Sequence, residues 1–547
     1  MKTHILLLNL AVLGYGLTIR RQDNPRMNEL GLIEVTIERA PEGERVAGQW
    51  TVLFPEDGGI SQEDHFAKIG VNLQETAKEF YWWGDAYGIV TDGEDLIKKI
   101  RMDPRVEKIV ESQNVYHVVP EEIEDGKAPN PRKLEDENKD WAANPEEIEG
   151  ADSKKWKKDS YYGMWNMAQV ASFGRRDGLD TFHGFSRDIM WDAGLGVDVY
   201  VLDTGINIHH EQFFKDPNFP YDPSKWTHGR ASHFGGLSDD DRSPYVPNEP
   251  MKDENQHGTH VASIAAGGGV VGVAGWANVI NVKVMTKEAK GPAGATFSIA
   301  RAIEDIVVQH NKKKDSGDKN FRGSVINMSL QVGQSSDLGA AIKRAYKAGI
   351  PVVVAAGNDG KEVESYICKF RQTFCVGAST IQYNRRTRSS YGPAVRIHAP
   401  GQSILGAHHD PDNDMYVDLS GTSMAAPHVA GAIATFLSFR GAGRSSSDVD
   451  ALYELVDKNR TPDIINDHKS QSGGLLHTGI YHPDRGKNPY YIPQKDELSV
   501  PENPEPEPKP EPKPAEPKEE APADPKDAPT EPIRPGSPAG QPWKHGE

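Results

Sequence analysis

Val197-Asp198-Val199-Tyr200-Val201-Leu202-Asp203-Thr204-Gly205 is a β-prone run that stops on a carboxylate and a glycine. Its density of β-branched and apolar residues predicts a buried strand, with Asp203 at the strand's carboxyl end. Two further runs, Val325 to Leu330 and Pro351 to Ala355, predict strands of the same kind. Between them Leu338, Ala341, Ile342 and Ala345 recur at the spacing of one helical face. Strands alternating with amphipathic helices imply an α/β fold, a parallel sheet sandwiched by helices, over about residues 160 to 485. Open sheets of this type build their sites at the carboxyl ends of strands, which puts Asp203 where chemistry is expected.

Two more segments end in, or begin with, reactive side chains. His257-Gly258-Thr259-His260 opens a helix-competent run of small residues, and Gly421-Thr422-Ser423-Met424-Ala425-Ala426-Pro427 opens another that continues to Phe436. A serine hydroxyl is a poor nucleophile at neutral pH and needs an adjacent base, whose tautomer must in turn be held by a third group. His257 and Asp203 are the residue types those roles require. Helix amino termini carry free N–H groups, so Ser423 at a helix start also gains a donor for a developing oxyanion. Val352-Val353-Val354-Ala355-Ala356-Gly357-Asn358 reads as a buried strand ending in a polar amide, which makes Asn358 the candidate second donor. His260 is read as a core histidine.

In motif and in the order Asp, His, Ser, the chain resembles the subtilisin-like serine proteases, in their proteinase K-like branch. The resemblance implies a catalytic triad of Asp203, His257 and Ser423, with Asn358 in the oxyanion site. It further implies that a protein or peptide substrate lies as an added strand between Lys290-Gly291-Pro292 and Ser329-Leu330-Gln331, so that Gly291, Ser329, Leu330 and Gln331 bind substrate. Four positions depart from the pattern. Gln331 stands where that branch carries glycine, Pro292 has no N–H to give, and Gln256 replaces the glycine common before the catalytic histidine. Thr380, after Val376-Gly377-Ala378-Ser379, takes the place of a calcium-binding aspartate, and a hydroxyl is a poor substitute on a hard cation. No cofactor is required by this reading; calcium is not supported at Thr380 and stays possible elsewhere.

The remaining chain frames this unit. Lys2, the apolar run Ile5 to Leu13 and the small residues Gly14 and Gly16 have the layout of a secretory signal peptide over residues 1–16. Residues 28–120 begin with alternation at Ile33, Val35 and Ile37 and close with Val115 to Val119, which predicts a small α+β unit. The resemblance makes it an inhibitory propeptide of ferredoxin-like fold, an intramolecular inhibitor whose last residues fill the cleft. Residues 121–155 read as an acidic, solvated linker, and 495–547, with repeats such as Glu505-Pro506-Glu507-Pro508, as a disordered tail rich in Pro, Glu and Lys. Cys368 and Cys375, seven positions apart, form either a bridge or two core thiols.

A net charge of −18 excludes nucleic acid as a partner class, since phosphate binding needs a basic surface. The amino-terminal apolar run is too short to span a bilayer, so no membrane partner is expected. The expectation is therefore a secreted, monomeric, self-processed endopeptidase, extracellular or vacuolar. The rival is a catalytically silent secreted binding or scaffold protein, kept open by the altered cleft residues Pro292 and Gln331. An α/β-hydrolase esterase fits less well, because Ser423 lies outside a Gly-x-Ser-x-Gly setting.

Overall fold

The computed structural model describes residues 35–56, 58–118, 120, 131–133, 165–170, 193–213, 231–268, 271–288, 291–441 and 445–478. The signal peptide, most of the linker, Lys290 and the tail lie outside the described residues.

The amino-terminal unit runs β1 (Thr36–Glu38), β2 (Arg45–Leu53), α1 (Gln62–Ile69), α2 (Leu73–Thr76), β3 (Glu79–Trp82), β4 (Ala86–Val90), α3 (Glu94–Ile100) and β5 (Lys108–His117). Local chemistry sets the helix ends. The Ser61 hydroxyl accepts from the Asp64 N–H at the start of α1, and Gly70 closes it in the left-handed region at φ 65°. Strands β5-β2-β4-β3 pair antiparallel in that order, the ferredoxin-like arrangement, with β1 added parallel to the free side of β5. Val52, Leu73, Tyr87, Ile89, Ile97, Ile100 and Ile109 form its own core.

The larger unit is built on a seven-stranded sheet in the order β15-β14-β13-β11-β7-β9-β8, parallel throughout. These are β7 (Val197–Asp203), β8 (Ala231–His233), β9 (Asn278–Lys283), β11 (Gly323–Met328), β13 (Val352–Ala355), β14 (Thr373–Ser379) and β15 (Ile397–Pro400). Alternation decides which layer each side chain joins. Val197, Val199 and Val201 pack with α5 (His257–Ala266), α8 (Thr422–Arg440) and α9 (Ser446–Asn459), while Tyr200 and Leu202 pack with α6 (Thr296–Asp315) and α7 (Ser336–Lys347). Both faces are therefore covered, as the continuous apolar strands require. A short helix, α4 (Trp165–Val170), is fully buried on the α8 side, where Asn166 Nδ2 and His428 Nε2 lie 2.9 Å apart.

Three expectations are corrected or completed. Within the supposed linker, β6 (Arg132–Lys133) pairs antiparallel with β17 (Met415–Leu419), which in turn pairs with β16 (Ile404–Ala407). Backbone pairing at a sheet edge needs no apolar period, so polarity concealed it. The strand expected from Val325 to Leu330 ends at Met328; Ser329 turns the chain, and β12 (Leu330–Val332) leaves the central sheet altogether. Cys368 and Cys375 are disulfide-bonded, with Cα atoms 5.1 Å apart.

Candidate active site

Asp203 is the last residue of β7 and is buried, as is His257 at the first position of α5. Gly258 allows the close approach that joins them: an added Cβ there would lie 2.1 Å from the Gly205 carbonyl oxygen. His257 Nδ1 stands 2.7 Å from Asp203 Oδ1, which also accepts from the Thr204 N–H. Among the described residues, Nε2 of His257, on the other side of the ring, has no hydrogen-bond partner of good geometry. Burial disfavours the charged ring, but the negative charge and hydrogen bond of Asp203, the charge of Asp253 and the Val118 carbonyl outweigh it, so the His257 pKa is raised.

Gln256, just before His257, sits at φ 94° and ψ −30°, a sparsely populated conformation that costs a non-glycine residue roughly 1–3 kcal/mol. Its side chain holds the turn, with Oε1 accepting from the His409 N–H at 2.7 Å and Nε2 donating to the Ala407 carbonyl at 3.0 Å. Asp253 completes the frame. One carboxylate oxygen accepts from Thr204 Oγ1 and the Asn255 and Gln256 N–H groups, the other from the Thr259 N–H and hydroxyl. This buried acid ties β7 to α5, yet it stands in a polar run with no period and nothing in the sequence singled it out.

Ser423 is the second residue of α8 and is fully buried. Pro427, four positions later, has no N–H for the Ser423 carbonyl, and Ser329 Oγ donates to that carbonyl instead, at 3.1 Å. Ser329 thus fixes the helix start. Asn358, after β13, accepts through Oδ1 from the Thr422 N–H at 2.9 Å and its hydroxyl at 3.1 Å. The amide expected at the oxyanion position is thereby anchored to the residue next to Ser423.

The cleft is filled by the chain itself. β5 lies between β10 (Pro292–Ala295) and β12, antiparallel to both, with Tyr116 opposite Pro292 and Gln331, and His117 opposite Leu330. Pro292 takes the first position of its strand, where a missing N–H is tolerated, and the register shifts between it and Gly294. Gly291, at φ 88°, precedes the paired residues. One step beyond β5, the Val118 carbonyl accepts from Ser423 Oγ at 2.7 Å. The His117 ring is T-shaped against His257, with centroids 5.7 Å apart, and burial together with the His257 charge pushes its pKa down to about 4. That Val118 rather than any other residue would meet Ser423 carried no local signal.

Thr380 spends its groups on a turn: its carbonyl accepts from Gln169 Nε2 and its hydroxyl from the Asn384 N–H. Among the described residues no group of three His, Cys, Asp or Glu side chains is placed to hold a metal ion. His260 is fully buried against the Ile404 and Val417 carbonyls, and burial pushes its pKa down to about 3.

A model of the subtilase family matches residues 194–463. Alkaline protease 2 of Aspergillus fumigatus is 36% identical over 311 residues, 55% of this chain and 55% of that protein. Cerevisin of Saccharomyces cerevisiae is 34% identical over 303 residues, 54% of this chain and 42% of that protein. The chain thus spans about half the length of these two relatives. It covers 84% of the subtilisin-like serine protease Rho m 2.0101 of Rhodotorula mucilaginosa, at 32% identity over 322 residues, 57% of this chain. With its parallel sheet and the Asp203, His257 and Ser423 side chains gathered at one edge, the chain belongs to the subtilase family.

Proposed function

We propose that this chain is a secreted serine endopeptidase, made as a zymogen that cuts itself and then acts on other proteins. The observation that carries the reading is the 2.7 Å contact of Ser423 Oγ with the Val118 carbonyl, at the end of a strand held on both sides in the cleft. His257 takes the Ser423 proton as Oγ bonds to the carbonyl carbon of the substrate. Asp203 holds the ring with Nδ1 protonated and stabilises the imidazolium that results. Asn358 and the N–H groups at the start of α8 stabilise the oxyanion. His257 returns the proton to the departing amine nitrogen as the C–N bond breaks, leaving an acyl ester on Ser423. A water, deprotonated by the same ring, then releases the acid and restores the hydroxyl.

The same contact supports a processing step at the Val118–Val119 bond, after which β5 would remain as a product in the cleft. Secretion rests on Lys2 and the Ile5–Leu13 run. No described helix is long and apolar enough to cross a membrane.

The test is mass spectrometry of the purified chain with and without phenylmethylsulfonyl fluoride, alongside Ser423→Ala. A mature form beginning at Val119 and carrying one sulfonyl group, against an uncut and unlabelled variant, supports the reading. Equal casein cleavage by both forms refutes it, and an uncut, unlabelled wild type favours the silent binding protein.

A further inference from the structure

We infer that Gln331 closes the pocket receiving the side chain before the cut, so that the enzyme prefers small or β-branched residues there over aromatic ones. This rests on the proteolysis reading above. In the antiparallel ladder of β5 and β12, Leu330 faces His117 and Gln331 faces Tyr116. Side chains alternate along a strand, so Tyr116 and Val118 share the face of Gln331, while Val115 and His117 share that of Leu330 and Val332. The burial agrees: Val115, Leu330 and Val332 belong to one apolar cluster, whereas Val118 joins the other.

From that face the Gln331 side chain reaches toward the turn after β13. Its Nε2 donates to Asp359 Oδ2 at 3.2 Å and lies so close to Gly357 that a Cβ there would be 2.2 Å away. Gly357 is at φ 107° and leaves its Cα bare for this amide. The turn it crosses to carries Asn358, which is tied to Thr422 beside Ser423. The glutamine therefore spans the gap between the two segments that flank the Val118 residue. The chain's own Val118, placed on the same face by the register, is 1% exposed, which suits a valine-sized side chain there. A benzyl group would have to displace the amide from Asp359.

Hydrophobic pockets discriminate by about 10–200-fold for a change of one methylene, so the blocked pocket should show at least about tenfold. The measurement is kcat/KM, on the full chain after its own processing, for two tetrapeptide p-nitroanilides that differ only in a final Val or Phe. Wild type should favour Val by that factor. Gln331→Gly should move the Phe/Val ratio toward Phe by at least about tenfold, and Asp359→Ala, which only frees the side chain, by less. Because the ratio is read within each variant, loss of folded enzyme cancels. A wild type that favours Phe overturns the inference, as does an unmoved ratio in both variants when fluorophosphonate titration shows them intact. A wild type that is unlabelled and cleaves neither peptide nor casein refutes the proteolysis reading itself, and this inference with it.

Discussion

Replacing His117 by glutamine should make the grip of the amino-terminal unit on the cleft less sensitive to acid. His117 is 6% exposed when docked, and its ring lies against His257. Burial, then the His257 charge, hold its pKa at about 4, against about 6.5 for a free histidine. The docked form is thus the one that resists protonation, and protons favour release. Above about pH 6.5 the full affinity is present, and between there and pH 4 it falls by about tenfold per pH unit. At pH 5 the loss amounts to roughly 30-fold, about 2 kcal/mol, from this one side chain. Other groups at the interface pull the opposite way. Glu304, beside Arg344 and Asp85, is raised to about 7 by burial, and Asp337, bonded to Thr51, is raised by the same cause. Both gain protons in the docked form. These contributions are common to wild type and variant, so the variant isolates the histidine. The assay is the inhibition constant of a recombinant segment 28–118 against the processed enzyme at pH 7.5 and pH 5. Between those values the wild-type constant should rise roughly 30-fold more than that of His117→Gln. Identical pH dependence of the two would refute the reasoning.

Two further outcomes follow from the same geometry. Asn358→Ala should lower kcat by about 10²–10³ with KM little changed, a scale known from an oxyanion amide in a subtilisin itself and carried over to this chain; steady-state kinetics on the peptide anilides checks it. Tyr453→Phe removes a buried hydroxyl that accepts from the Val352 N–H at 2.9 Å and bonds to the Gln372 carbonyl at 3.0 Å. It should cost about 1–3 kcal/mol, read as a lower urea midpoint of the sulfonylated enzyme.

Three strands of the central sheet, β7, β11 and β13, were legible because they are buried on both faces, so their apolar runs are continuous and end abruptly. Asp203, His257 and Ser423 could be read for a related reason: each sits at an element boundary, where composition changes sharply. Other features have no such local mark. The carboxylate of Asp253 works through Thr204, Asn255, Gln256 and Thr259, a network that exists only once β7 and the start of α5 have met. The run Val115 to Val119 reads as the close of an ordinary strand, because nothing in its own pattern distinguishes pairing with β2 from pairing with β10 and β12, and β5 does both. That double use couples folding to chemistry. One end of β5 is fixed by the core of Ile109 and its neighbours, and the other delivers the Val118 carbonyl to Ser423. A change in the ferredoxin-like core can therefore alter the cleft's occupancy without touching a cleft residue, whereas the proposed cleavage after Val118 would convert a covalently held strand into one held only by its ladder and its burial.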